Sequence, residues 1–213
     1  MMKAEVDHIV FDVPYFQQTR TATCGPACLM MVMKYWEPSF EFSRHVEFDL
    51  WMKSFSLFLF GGTYQFGLAK AAVNAGFKAE IYQKTAFSQN YPRSPRLFDF
   101  IEYLVSYNAR HAHVPFTCGT ESMNVIHESV RRGVPPIVFV NLTPLVGENV
   151  FHWVVVTGID KQTIYVNDPY VPANSPMGMK KSYPVPFAAF QKAVNTDSGR
   201  NLRLPPCVLL VYK

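Results

Sequence analysis

Residues 18–29 read QTRTATCGPACL, and this stretch carries the strongest structural signal in the chain. Pro26 suits the first turn of a helix, where its missing N–H costs nothing, and Gly25 is expected to free the backbone beside the cysteine. The mostly apolar run 27–36 then predicts a helix. Cys24 would lie at the N-terminus of this helix, where the positive end of the macrodipole favours a thiolate. The pattern is typical of a sulfur nucleophile.

Composition narrows the class of protein. The 213 residues are enough for a hydrophobic core, and 49% hydrophobic with 15% aromatic residues exclude a disordered chain. The net charge of +4 is spread along the sequence without a basic block, so no nucleic-acid partner is expected. Residues 1–20 lack the continuous apolar stretch of a secretory signal, and the apolar segment 48–60 is too short to insert into a membrane. We therefore expect a cytoplasmic protein with reduced cysteines.

Helical patterns dominate the first half of the chain and β-branched runs the second half. This order predicts an α+β fold, with one domain over residues 1–213. The predicted helices cover 27–36, one or two segments up to about 60, 64–75, 96–109, 121–132 and 187–194. The predicted strands cover 9–13, 78–83, 137–142, 152–159, 163–167 and 207–212.

A predicted hairpin supplies a candidate base for the cysteine. A three-residue turn after Ile159 would place His152 opposite Tyr170, with Asp168 as its diagonal neighbour on the same face. A two-residue turn would reverse the parity and bring Asn167 to that face. We prefer Asp168, but the register of the hairpin decides between the two.

These residue types fit nucleophilic catalysis. A thiol nucleophile needs an imidazole base, and a carboxylate can hold that imidazole in the correct tautomer and stabilise the imidazolium. A side-chain amide from Gln18, six residues before Cys24, could stabilise the oxyanion together with the backbone N–H of Cys24. Gln17 is the neighbouring alternative, although the spacing favours Gln18. The candidate catalytic residues are therefore Gln18, Cys24, His152 and Asp168, and no cofactor or metal is expected.

Four segments carry a family resemblance. They are VPYFQQTRTATCGPACLMMVMKYW (13–36), EFDLWMKSFSLFLFGGTYQFGLAKAAVNAGFKAEIY (47–82), FHWVVVTGID (151–160) and IYVNDPY (164–170). Together they resemble the C39-like cysteine peptidases, above all the stand-alone branch of that family. The resemblance implies a papain-like fold, with the cysteine helix packed on an antiparallel sheet that bears the histidine. It implies a peptide or amide substrate, with the nucleophile, base, orienting residue and oxyanion donor at Cys24, His152, Asp168 and Gln18.

Two departures from that family argue against one specific role. Members that cleave double-glycine leader peptides usually carry an acidic residue just before the cysteine, where this chain has Thr23. Those members are also domains of transporter subunits, and this sequence shows no transporter domain. Leader-peptide processing is therefore not expected. Two other functions stay open: acyl transfer to an amine or thiol acceptor, and peptide binding by a dormant site.

The remaining candidates have simpler interpretations. Cys28 lies one turn after Cys24 and is expected to pack in the core, as are Cys207 and Trp153. The nearest candidates for metal ligands are His111, His113 and Cys118. They lack a fourth ligand and the spacing of a zinc site, so no metal site is expected.

Overall fold

The computed structural model describes residues 8–55, 62–170, 181–197 and 203–213. Its helices are α1 (Cys24–Trp36), α2 (Arg44–Ser54), α3 (Gln65–Asn74), α4 (Pro95–His111), α5 (Ser122–Arg131), α6 (Thr143–Val146) and α7 (Phe187–Asn195), and a 3₁₀ helix covers Phe87–Asn90. Its strands are β1 (Ile9–Val10), β2 (Lys78–Gln83), β3 (Phe116–Cys118), β4 (Ile137–Asn141), β5 (Phe151–Ile159), β6 (Thr163–Asn167), β7 (Tyr183–Pro186) and β8 (Cys207–Tyr212).

The described strands form one sheet with helices on both faces. Their spatial order is β3-β2-β8-β4-β5-β6-β7, and β1 pairs with β5 at the side. All pairs are antiparallel except β2 with β3. Helices α1 and α3 contribute to the core on one face, and α5 and α7 to the core on the other. This arrangement confirms the predicted α+β class: β1 and β2 lie in the mainly helical first half of the chain, and β3 to β8 lie in the second half.

Helix α1 is the central helix of the molecule. Every residue from Gly25 to Met33 is buried, because the run is apolar on all sides and contacts β5, β8 and α3. The helix begins three residues before the predicted run, with Pro26 in its first turn. A helix buried all round fixes the position of its first residue, Cys24, relative to the sheet.

Several elements differ from the sequence predictions. The sequence did not predict β3, α6 or β7; the last contains Pro184 and Pro186, which an edge strand tolerates because it leaves one row of N–H groups unpaired. Strand β1 is shorter than the predicted strand over 9–13. Helix α2 ends at Ser54, whereas the sequence predicts one or two helices up to about residue 60. Residues 56–61 lie outside the described part of the chain. Within the described ranges, no helix is long and apolar enough to span a membrane.

Candidate active site

Cys24 is the first residue of α1 and the only partly exposed residue in the run from Thr23 to Met33. Gly25 follows it, and its backbone is not in the left-handed region. A Cβ at Gly25 would lie 2.2 Å from Thr63 Oγ1 and 2.9 Å from Leu68 Cδ1. The expectation that Gly25 frees the backbone is therefore wrong. The glycine is needed because Thr63 and Leu68 occupy the space of a side chain.

The register of the β5–β6 hairpin decides which residue reaches His152. Near the turn, Ile159 pairs with Ile164, and the Asp160 N–H donates to the Thr163 carbonyl at 2.9 Å, so the turn has two residues rather than three. A regular hairpin with that turn would bring Asn167 to the face of His152. A bulge at Thr157 adds one residue to β5, so that Val155 pairs with Asn167 beyond it. The bulge thus restores the relation predicted for a three-residue turn.

The side chains follow this register. His152 Nε2 lies 2.7 Å from Asp168 Oδ1, and both residues are buried. The backbone N–H of Tyr170 donates to the same carboxylate oxygen at 2.8 Å, and the Tyr170 ring lies edge-on to His152 with 6.2 Å between centroids. Asn167 instead donates to the Val13 carbonyl at 3.1 Å. The structure therefore brings Asp168, and not Asn167, to His152.

The imidazole also joins Asp168 to the nucleophile. His152 lies near enough to Cys24 for the sulfur to raise the pKa of the imidazole, and Nδ1 is the ring nitrogen that does not face Asp168. Burial alone would lower the pKa of His152, but the Asp168 carboxylate and the Cys24 sulfur outweigh it and raise that pKa from 6.5 to about 10. Both groups therefore favour the protonated ring, whose positive charge lies beside the sulfur.

Gln18 lies in the loop before α1 and is partly buried. Its Nε2 donates to the Arg20 carbonyl at 2.8 Å and to the Thr21 carbonyl at 3.3 Å, so both amide hydrogens point into the loop. Its backbone N–H donates at 2.9 Å to the carbonyl of Pro169, the residue after Asp168. The loop of the candidate oxyanion donor is therefore tied directly to the hairpin. Gln17, the alternative donor, is exposed.

The sequence analysis missed Glu47 of α2. This carboxylate is 1% exposed and accepts the backbone N–H of Thr19 at 2.8 Å and the Thr23 hydroxyl at 2.5 Å. The Thr19 hydroxyl donates to its other oxygen. In the sequence, Glu47 reads as one of several charged residues on a short helix, so no pattern could reveal that it is buried beside the nucleophile.

The residues interpreted as core are confirmed as core. Cys28 is fully buried, its Sγ donates to the Trp153 carbonyl at 3.3 Å, and burial raises its pKa well above the ordinary value. Cys207 is buried in β8, and Trp153 is buried with its indole N–H donating to the Thr63 carbonyl at 3.1 Å. All four cysteines are free thiols. The described residues contain no cluster of three potential metal ligands.

Comparison with known proteins identifies the family of the chain and its fold. The chain belongs to the Peptidase_C39 like family, whose sequence model matches residues 13–203. Among solved structures, it is similar to a protein described as a C39-like peptidase from Bacillus anthracis, with a TM-score of 0.57, 15% identity, and 97% of this chain and 98% of the other covered. It is also similar to the peptidase domain of Streptococcus ComA, a bifunctional ABC transporter involved in quorum sensing (TM-score 0.50, 18% identity, coverage 94% and 98%).

A third structure is a double-glycine motif protease from an AMS/PCAT transporter in complex with its leader peptide, with a TM-score of 0.48, 17% identity, and 96% and 97% of the two chains covered. No curated protein sequence matches the chain. The family assignment and the first of these structures confirm the predicted papain-like, C39-like fold.

Proposed function

We propose that this protein is a cysteine peptidase or amide hydrolase, with residues 1–213 forming a single C39-like domain. The observation that carries the proposal is the arrangement of three residues: Cys24 lies at the partly exposed N-terminus of a buried helix, next to His152, and His152 contacts Asp168. The family assignment supports a peptidase-related activity.

Each of the three residues has a distinct role in the proposed reaction. The Cys24 thiolate attacks the carbonyl carbon of the scissile bond and forms a C–S bond. The His152 imidazolium gives its Nδ1 proton to the departing amine, and the neutral ring then takes a proton from the water that hydrolyses the thioester. Asp168 holds Nε2, and its charge stabilises the imidazolium.

Two donors are suited to the developing oxyanion. The backbone N–H of Cys24 is the first of α1, and the first N–H groups of a helix have no partner within it. Gln18 can contribute its amide by giving up the longer of its two bonds, the 3.3 Å contact to the Thr21 carbonyl. Loss of one such donor typically lowers the rate about 100- to 1000-fold.

Site-resolved alkylation tests the nucleophile. We expect iodoacetamide at pH 6 to modify Cys24 faster than Cys118, because the raised pKa of His152 favours an imidazolium beside Cys24, whereas partial desolvation raises the pKa of Cys118. Cys118 is exposed, so it serves as an internal reference on the same molecule. Peptide mapping by mass spectrometry measures both rates, and Cys24→Ala is the background. Equal rates at the two cysteines would contradict the proposal and would favour a dormant peptide-binding module.

A second assay defines the reaction. A peptide library is incubated with wild type and with Cys24→Ala, in the presence and absence of added amines, and products are identified by mass spectrometry. Hydrolysis that depends on Cys24 and persists with amines present is the expected result. Products that carry the added amine would instead assign the acyl-enzyme to transfer, and an unchanged library with wild type would contradict enzymatic activity.

A further inference from the structure

We infer that Glu47 is a positioning residue for the nucleophile and the oxyanion donors, an inference that rests on the proposed function. Its carboxylate contacts both Thr19, the residue after Gln18, and Thr23, the residue before Cys24. The two ends of the loop that presents Gln18 and Cys24 are therefore held by one buried side chain of α2.

Glu47 and the hairpin hold the loop from opposite sides. On one side Gln18 N–H donates to the Pro169 carbonyl, next to Asp168, at 2.9 Å. On the other side the adjacent residue, Thr19, donates both its N–H and its hydroxyl to Glu47. Neighbouring residues are thus fixed to two separate elements. Because displacement of a reacting group by about 1 Å can reduce the rate about 100-fold, these contacts bear on catalysis.

The contact with Glu47 also leaves the N-terminus of α1 without a side-chain cap. Thr23 precedes the helix, and a threonine in that position commonly caps the helix by accepting a backbone N–H. Here the Thr23 side chain makes no such cap, because its hydroxyl faces Glu47 and the Arg20 carbonyl. The first N–H groups of α1 stay available for an oxyanion. Among the described residues no lysine or arginine forms an ion pair with Glu47, so its acceptor capacity goes to the loop.

Two reactions of Cys24 separate positioning from simple loss of structure. Acylation by p-nitrophenyl acetate passes through an oxyanion, with a C–S bond formed and nitrophenolate released. Alkylation by iodoacetamide displaces iodide without an oxyanion. We expect Glu47→Ala to slow acylation of Cys24 about 10- to 100-fold, mainly in the maximal rate, and to change alkylation much less. Glu47→Gln, which retains an acceptor oxygen, should restore part of the acylation rate.

Controls keep the outcomes apart. Asp49→Asn alters an exposed carboxylate of the same helix and should leave both rates unchanged. Equal losses of acylation and alkylation in Glu47→Ala would overturn the inference. A wild-type protein that is alkylated at Cys24 but never acylated would contradict the proposed function instead. Hydrogen exchange at the Thr19 amide gives a readout independent of activity: protection should be lost in Glu47→Ala, and unchanged protection would overturn the inference.

We also infer that the exposed face of α4 forms a contact between two copies of this chain. Five large side chains on this face are each between 46% and 56% exposed: Leu97, Phe100, Tyr103, Leu104 and Tyr107. The opposite side of the helix is buried through Glu102, Ser106 and Ala109. A continuous apolar stripe of this kind marks an interaction surface.

The charges on α4 complement a second α4 in antiparallel orientation. Asp99 and Arg110 are eleven residues apart, which is three turns plus about 20°, so both lie on the same flank of the stripe. A two-fold axis near Leu104 would bring each Asp99 opposite the Arg110 of the other copy, and the apolar residues would then face each other. Both residues are exposed, and among the described residues neither has an ion-pair partner.

Sedimentation equilibrium tests the self-association. Wild type should dimerise at concentrations up to about 100 µM, and Asp99→Arg or Arg110→Asp alone should weaken the dimer about tenfold or more through like-charge repulsion. The double exchange Asp99→Arg/Arg110→Asp should restore it. A wild type that stays monomeric would overturn the inference and leave the surface to a different partner. Failure of the double exchange to restore the dimer would overturn the antiparallel arrangement.

Discussion

The two halves of the candidate site are held in different ways. His152 and Asp168 lie on a hairpin, where the backbone register sets which side chains meet. Cys24 and Gln18 lie on and before α1, where side chains such as Glu47 and the packing around Gly25 set their positions. The base is therefore placed by the backbone register of the sheet, including its bulge, whereas individual tertiary contacts place the loop before α1.

This difference predicts how each half fails. A substitution in the hairpin pair should change protonation and rate while the fold survives, because the backbone ladder is unaffected. A substitution around the nucleophile loop should change both packing and rate, because the same contacts serve both. The four predictions below test this contrast, starting with the largest expected effect.

Asp168→Asn should lower the rate of acylation about 100- to 10,000-fold, as expected when the partner that orients a catalytic imidazole loses its charge. The pKa of His152 is raised by Asp168, so removing the carboxylate should lower that pKa. The alkaline limit of activity should accordingly move to lower pH. A pH–rate profile of wild type and variant measures the shift, and an unchanged alkaline limit would contradict the role of Asp168.

The same variant should show a pH-dependent loss of stability. A histidine whose pKa is raised on folding stabilises the native state fully below its unfolded pKa, and this contribution disappears as pH rises through the folded pKa. The difference in unfolding free energy between wild type and Asp168→Asn should therefore be largest below about pH 6.5. It should decline towards pH 10, near the raised pKa of His152. Denaturant unfolding at several pH values checks the trend.

Gly25→Ala should destabilise the protein by about 1–3 kcal/mol, because the new methyl group would meet Thr63 Oγ1 at 2.2 Å. The rate should fall as well, since the change lies next to Cys24. Denaturant unfolding measures the first effect and acylation kinetics the second. Adding Thr63→Ala removes the clashing oxygen and should recover part of the stability. A Gly25→Ala variant as stable as wild type would show that Thr63 and Leu68 do not fill the space beside Gly25. It would contradict the inference that packing holds the start of α1 in place.

Cys28→Ala should have the smallest effect. The residue is fully buried and donates only to the Trp153 carbonyl, so the substitution should lower stability by about 1 kcal/mol through the small space it leaves. Alkylation of Cys24 should stay within about twofold of wild type, because the hydrogen bond of the Cys28 thiol goes to the Trp153 carbonyl and not to His152 or Asp168. A large loss of Cys24 reactivity would contradict the interpretation of Cys28 as a core residue.

The hairpin shows how far the sequence could predict the site. Strand alternation correctly paired His152 with Asp168, yet the loop length behind that prediction was wrong, and the bulge at Thr157 corrected it. Bulges arise from local packing that a single sequence does not encode in a readable pattern. Glu47 was missed for a related reason, because charged residues are normally exposed and only its partners, Thr19 and Thr23, explain its burial.

The sequence by itself determined the α+β class, the helix beginning near Cys24 and the C39-like family, because hydrophobic periodicity, proline and glycine placement, and local motifs act over short distances. Only the tertiary structure decided the hairpin register, the burial of Glu47 and the space at Gly25. These features depend on which distant residues meet in the folded chain, and elements far apart in sequence are brought together only when the helices pack on the sheet.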